Sequence, residues 1–221
     1  MNQLLVAVKS SFEQHANGTH DMIRSTWGQQ LRGKAFVRFF MGRQTMELGG
    51  TAWSLPTSGD VGIATKNSYV PKSDEMVLDC PDEVSHLVKK TRGICGYAMG
   101  KSISHVLLVN AHVNVGVKEV LSAPYQIADY AGYFGKYFGT VEPRAFWNGT
   151  INEEIERCYG WAQSDSGIFL SRKAMAVIAD TAPRSSLYVN GKNDDVWIGN
   201  VLGPLVAQGE LLAMPTEPVA A

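Results

Sequence analysis

Residues 105–115, HVLLVNAHVNV, place two metal-capable side chains, Asn110 and His112, at the end of an apolar run. Val106 to Val109 read as a strand buried on both faces. In an open α/β sheet the carboxyl ends of such strands are where ligands bind. An amide oxygen and a neutral imidazole can ligate transition metals, but neither brings negative charge. A hard divalent ion favours carboxylates and water. The pair therefore admits three readings. His112 can hold Mn²⁺ or Zn²⁺, the two side chains can hydrogen-bond a ligand directly without a metal, or the segment is only a polar turn.

Further acidic residues stand at element boundaries. Asn193, Asp194 and Asp195 precede an apolar face of Ile198, Val201, Leu202, Leu205 and Val206. At a helix start such residues cap free amides and meet the positive end of the dipole. One carboxylate can cap while the other faces a substrate. Asp79 and Asp82 bracket Cys80 and Pro81. Asp82 is expected to cap the following helix, and Asp79 to end a strand. The phrase QSDSG, residues 163–167, reads as a polar turn in which Gly167 permits close backbone approach.

These residues need a scaffold. The patterning predicts strands at residues 3–8, 35–41, 75–78 and 105–109, with another candidate at 129–134. Residues 42–73 read as polar loop with one short strand near 61–64. A short helix or turn is expected at 21–27. A longer helix opens at Pro81 and Asp82, with Val84, Leu87, Val88, Thr91, Ile94, Cys95 and Ala98 at helical spacing. Two more helices are expected at 171–180 and 195–207. Strands alternating with helices predict an α/β fold with a mostly parallel sheet flanked by helices. The expected organisation is one domain over residues 1–212 and a loose tail over 213–221.

The 221 residues carry 20 basic and 21 acidic side chains, so no net charge steers the chain toward nucleic acid or anionic membranes. A local basic groove is still open, since Arg24, Arg32, Lys34, Arg38 and Arg43 lie close in sequence. Three cysteines without metal-type spacing read as reduced thiols, which predicts a cytoplasmic protein. No apolar run approaches the ~18 residues of a membrane span.

Several phrases, in order, resemble the β1,3-galactosyltransferase and Fringe-like glycosyltransferases of the GT-A fold. They are LLVAVKS with HDMIRSTWG, FVRFFMG, DEMVLDCPDEVSHLVKKT, GWAQSDSGIFLSRKAM and DDVWIG, spread over roughly residues 4–207. The resemblance implies a GT-A-like, Rossmann-like single domain. It also implies inverting transfer of a sugar from a nucleotide sugar, usually UDP-linked, to an acceptor hydroxyl. The family's metal-binding D-x-D falls on Asn110-Ala111-His112, so the cofactor is either none or Mn²⁺. By the same resemblance Asp195 takes the position of the base, with Asp194 as its acidic neighbour. Lys9, Arg24, Asp79 and Lys90 join Asn110 and His112 as nucleotide-sugar contacts. Trp161, Asp165 and Gly167 line the sugar or acceptor pocket.

The lack of an N-terminal anchor fits a soluble bacterial or phage-type member, acting in the host cytoplasm if phage-encoded. Its acceptor would be a hydroxymethylated DNA base or a glycan. The competing class is a non-catalytic nucleotide-sugar-binding module that keeps the fold.

Overall fold

A computed structural model describes residues 3–43, 45–48, 51–54, 69–134, 140–141, 158–182 and 193–220. The chain runs β1 (Leu4–Lys9), α1 (Phe12–Ala16), α2 (Thr19–Ser25), α3 (Trp27–Gln30) and β2 (Phe36–Arg43). It continues through β3 (Thr45–Leu48), β4 (Thr51–Ser54), β5 (Glu75–Pro81), α4 (Leu87–Met99), β6 (His105–Asn110) and α5 (Val117–Ser122). It ends with β7 (Tyr130–Gly132), β8 (Thr140–Val141), β9 (Cys158–Tyr159), β10 (Ile168–Ser171), α6 (Arg172–Asp180), α7 (Asp194–Ala207) and β11 (Ala213–Pro215).

Seven of the described strands form one sheet in the order β11-β7-β10-β6-β1-β2-β5. β6, β1, β2 and β5 are mutually parallel, whereas β10 runs antiparallel to both β6 and β7. The expected α/β, mostly parallel, Rossmann-like architecture is therefore present. β1 and β6 lie at its centre and are continuous apolar runs because both faces are covered. On one face Leu5, Ala7, Val106 and Leu108 pack with α4, α6 and α7. On the other, Leu4, Val6, Val8, Leu107 and Val109 pack with Ile23, Trp27 and Leu31 of the α2–α3 region and with Val120 of α5.

Strand pleating sends alternate side chains to opposite faces. It continues past the apolar core, so Lys9 points toward α4 and α7 while Ser10 points toward α2. The sheet grows from β1 through β2 on one side and through β6 on the other. The carboxyl ends of β1 and β6 thus flank a topological switch point, where ligands bind in open α/β sheets.

Three expectations need correction. Asp82 does not cap α4, which starts at Leu87 after a 3-10 turn, with His86 at its N-cap. The Asp82 carboxylate instead accepts from the amides of Phe12 and Gly42, both at 2.6 Å, and from Lys90 Nζ at 3.0 Å. Three chain segments need an acceptor there, and together they outcompete one helix end.

The C-terminus is not a loose tail. β11 pairs in parallel with β7, and Val219 is fully buried. Gly116 N donates to Val219 O at 2.7 Å, and Val219 N donates to Ser166 O at 2.9 Å. The apolar side chain of Val219 completes the core beside α5, which the short segment's composition conceals.

Gly167 does permit a close approach, but of this same segment. Its φ is 84°, and a Cβ there would lie 2.4 Å from Val219 Cγ2. Gly167→Ala is therefore expected to destabilise the fold by more than about 1 kcal/mol, read from urea unfolding. Unchanged stability would mean that the C-terminal segment is not docked as described.

The expected strand near 61–64 lies outside the described residues. No helix among the described residues is long and apolar enough to cross a membrane. Cys80 and Cys95 are buried free thiols, as expected.

Candidate functional site at the carboxyl edge of the sheet

The switch point gathers side chains from four parts of the chain. Lys9 ends β1, and Ala111 N donates to its carbonyl at 3.0 Å, joining the ends of β1 and β6. At the end of β6, Asn110 Nδ2 donates to Asp165 Oδ1 at 2.8 Å, and just beyond the strand His112 Nε2 lies 3.1 Å from the same oxygen. Asp165 sits in the 3-10 turn Ser164–Ser166, just before β10. The neighbouring Ser164 N donates to Asp195 Oδ2 at 3.3 Å, which ties this turn to the start of α7. β10 places the turn here because it pairs antiparallel with β6, so its first residues meet the last residues of β6.

Asp194 and Asp195 are adjacent but differently placed. Asp194 is buried; it accepts from Lys9 Nζ at 2.7 Å and from Thr91 Oγ1 at 2.5 Å. Asp195 is partly exposed, and its Oδ1 accepts from Val196 N at 2.8 Å. Burial raises the proton affinity of Asp195, and the charge of Asp194 adds to the effect. A carboxylate of this kind is a stronger base than a solvated one.

The pH dependence follows with a definite sign. If Asp195 is the base that the resemblance implies, it must be ionised to act, and kcat/KM should fall as pH drops through a pKa lying above the ordinary 3.8. A rate profile that stays flat down to that ordinary value would remove Asp195 from the role.

Of the residues expected at a site, Lys9, Lys90, Asn110, His112, Asp165, Asp194 and Asp195 are drawn to this edge. Their placements differ from expectation in several ways. Lys9 and Lys90, expected on a diphosphate, are both turned inward: Lys9 onto Asp194, and Lys90 onto Asp82 and the Ser10 carbonyl. A buried ammonium is tolerated only with a partner charge, and each lysine has found one within the protein. Asp194 is equally occupied and touches no open surface.

Arg24 lies on α2, where it meets Asp74 through two 2.8 Å bonds, Glu75 and Asp21. Asp74 above all, with Glu75 and Asp21, holds its guanidinium firmly charged and occupied. Asp79 is exposed on β5, the edge strand, and pairs with Arg43 at 3.1 Å. Trp161 is buried beside Gly199 of α7 rather than presented as an open stacking face. Trp147 lies outside the described residues.

Sequence reasoning missed Thr91 as a partner of Asp194. It read Thr91 only as one more position on the inward face of the helix, which is where the structure has it.

Of the five basic residues between 24 and 43, for which the sequence leaves a local groove open, four share a cleft; Arg43 instead pairs with Asp79. A cleft of about 530 Å³ is lined by Arg24, Arg32, Lys34 and Arg38, with Asp74 beside them. Gln3, Leu4 and Phe36 also line it, so it opens at the amino ends of β1 and β2, at the opposite edge from Asp195.

The metal that the resemblance implies can be tested against the donor set. His112 Nε2 and Asp165 Oδ1 offer one imidazole and one carboxylate, with Asn110 beside them. The imidazole suits Zn²⁺ and the carboxylate Mn²⁺; the set falls short of the all-oxygen shells of six or more ligands that Mg²⁺ and Ca²⁺ take.

Fold and site together define a Rossmann-like α/β protein with a polar, carboxylate-bearing cluster at its switch point. No protein-family model matches the chain, and no curated protein matches it.

Proposed function

We propose that the protein is an inverting glycosyltransferase that moves a sugar from a nucleotide sugar, a UDP sugar in the first instance, to an acceptor hydroxyl. The observation that carries this reading is Asp195: a partly exposed carboxylate of raised proton affinity, linked through Ser164 to the Asn110, His112 and Asp165 cluster. The resemblance to GT-A-fold transferases supports it.

In this mechanism Asp195 accepts the proton of the acceptor hydroxyl as its oxygen attacks the anomeric carbon. The bond from that carbon to the diphosphate oxygen breaks, and its electron pair leaves on the nucleoside diphosphate. Attack opposite the leaving group inverts the anomeric configuration. The amide of Ser164 orients Asp195, and the Lys9–Asp194 pair fixes the start of α7 that carries it. His112 and Asp165 would hold a Mn²⁺-class ion, which when bound offsets the negative charge of the diphosphate.

The acceptor is a hydroxylated glycan or small molecule in preference to a hydroxymethylated DNA base. DNA needs cationic contacts along its phosphates, and the basic cleft among the described residues opens at the wrong edge for delivery to Asp195. A bacterial or phage cytoplasmic setting remains part of this proposal and rests on the resemblance alone.

A second reading, a nucleotide-binding module without catalysis, is favoured by one observation. Lys9 and Lys90 are committed to internal partners, which withdraws two of the cations expected at the diphosphate.

Turnover of a panel of nucleotide sugars, with EDTA and with added metals, tests both. EDTA is expected to abolish activity, with Mn²⁺ or Zn²⁺ restoring it better than Mg²⁺. Activity indifferent to EDTA would assign Asn110 and His112 to direct phosphate contact. A melting-temperature rise with nucleoside diphosphate but no turnover of any donor would establish the binding module.

A further inference from the structure

A second cluster lies on the other face of β1. α1 and α2 are joined at Asn17 and Gly18, and Gly18 has φ 85°, which turns the chain sharply enough to bring His15 and His20 side by side. Their rings meet edge to face with centroids 5.2 Å apart. Glu75, the first residue of β5, projects between them with its side chain fully buried.

Its Oε1 lies 2.9 Å from His20 Nδ1 and 3.3 Å from His15 Nδ1. The ligand atoms of the three residues all lie within 4.8 Å of one another. His15 Nδ1 is buried yet makes no hydrogen bond among the described residues.

We propose that His15, His20 and Glu75 form a binding site for one divalent transition-metal ion of the Zn²⁺ or Co²⁺ class. Two imidazoles and a carboxylate are a common ligand set for such ions, with a further position left for another donor. The ligands have the outer contacts that metal sites use. His20 Nε2 lies 2.6 Å from Ser10 Oγ, and a hydroxyl can accept the Nε2 proton and so leave Nδ1 free to ligate. Stacking on Phe39, with centroids 4.2 Å apart, fixes the His20 ring. The second Glu75 oxygen is held by the Tyr69 hydroxyl and, at 2.8 Å, by the Lys72 amide.

Arg24 Nη2 competes for Glu75 Oε1, at 2.6 Å. Its two bonds to Asp74 remain if that one contact opens. A bound ion would tie α1, α2 and β5 together behind Ser10, at the end of β1.

The test uses the full chain, stripped with EDTA and desalted, in the wild type and in His112→Ala, which removes the imidazole at the sheet edge. Titration with Zn²⁺ is expected to give one equivalent bound in His112→Ala and a higher melting temperature. Co²⁺ is expected to give the visible absorption of a low-symmetry site with nitrogen ligands. His15→Ala, at a half-buried position, should weaken that binding by more than the about 10–100-fold that loss of an outer-shell partner costs. A His112→Ala protein that binds neither Zn²⁺ nor Co²⁺ would overturn the proposal, as would a His15→Ala protein that binds them as tightly as its parent. The Co²⁺ spectrum of His112→Ala, with His15 in place, keeps the test decisive if His15→Ala fails to fold.

Discussion

Replacing Asp195 by Asn is expected to lower kcat by about 10²–10⁴-fold, the usual worth of a positioned general base. Nucleotide affinity should remain within a few-fold of the wild type. The amide keeps the size of the side chain, but its one oxygen can accept from only one of Ser164 N and Val196 N, which the carboxylate meets with separate oxygens; a melting temperature close to that of the wild type checks that the start of α7 stays in place. What the variant loses is the site for the acceptor's proton. A melting-temperature titration with UDP separates the two effects, because binding to the folded state raises stability whether or not the chemistry proceeds. An Asp195→Asn protein that turns over like the wild type would assign the base elsewhere, and Asp165 is the next carboxylate along the same edge.

Removing one partner of the Lys9–Asp194 pair is expected to be the most damaging single change to stability. Both side chains are about 1% exposed, and no water is available to replace the lost partner. Breaking a buried pair of this kind typically costs about 3–5 kcal/mol, because it strands an uncompensated charge. Asp194→Ala strands the Lys9 ammonium and also removes the acceptor of Thr91 Oγ1. The double variant Lys9→Met with Asp194→Leu should recover much of the loss, since well-packed apolar side chains can replace a buried pair at little cost. Urea unfolding of the two single variants and the double one tests this. Single variants within about 0.5 kcal/mol of the wild type, inside the range of ordinary surface changes, would show that the pair is solvated.

The two predictions separate the adjacent aspartates. Asp194 is committed to the fold, whereas Asp195 is the residue proposed for the chemistry, a division that the sequence DDVWIG alone does not reveal. Both residues sit at a helix start, where either can cap. Only the three-dimensional neighbour decides, and Lys9 is 185 residues away in the chain.

The central strands were legible for a different reason. LLVAVK and HVLLVN are apolar at consecutive positions, and a strand covered on both faces requires that pattern. The helices at 172–180 and 194–207 were likewise readable from periodicity, to within one residue at their starts.

What stayed hidden was set by long-range pairing. β10 is only four residues long, and its antiparallel placement beside β6 has no local signal. That placement brings Asp165 to Asn110 and His112, so the carboxylate at the strand end comes from another part of the chain. Val219 was read as tail because the few apolar residues of MPTEPVAA, set among two prolines, carry no period. The His15, His20 and Glu75 cluster escaped for the same reason as the Lys9–Asp194 pair, since its third member arrives from a distant strand.

The account's central claim is that Asp195 activates a hydroxyl for displacement of a nucleoside diphosphate. The most direct measurement is proton NMR of the wild-type protein with an α-linked UDP sugar, followed from the first turnovers with water or a hydroxylated acceptor as nucleophile. The account predicts UDP release with initial formation of the β-configured product, and loss of both in Asp195→Asn. No UDP release from any donor, or a first product that retains the α configuration, would contradict it.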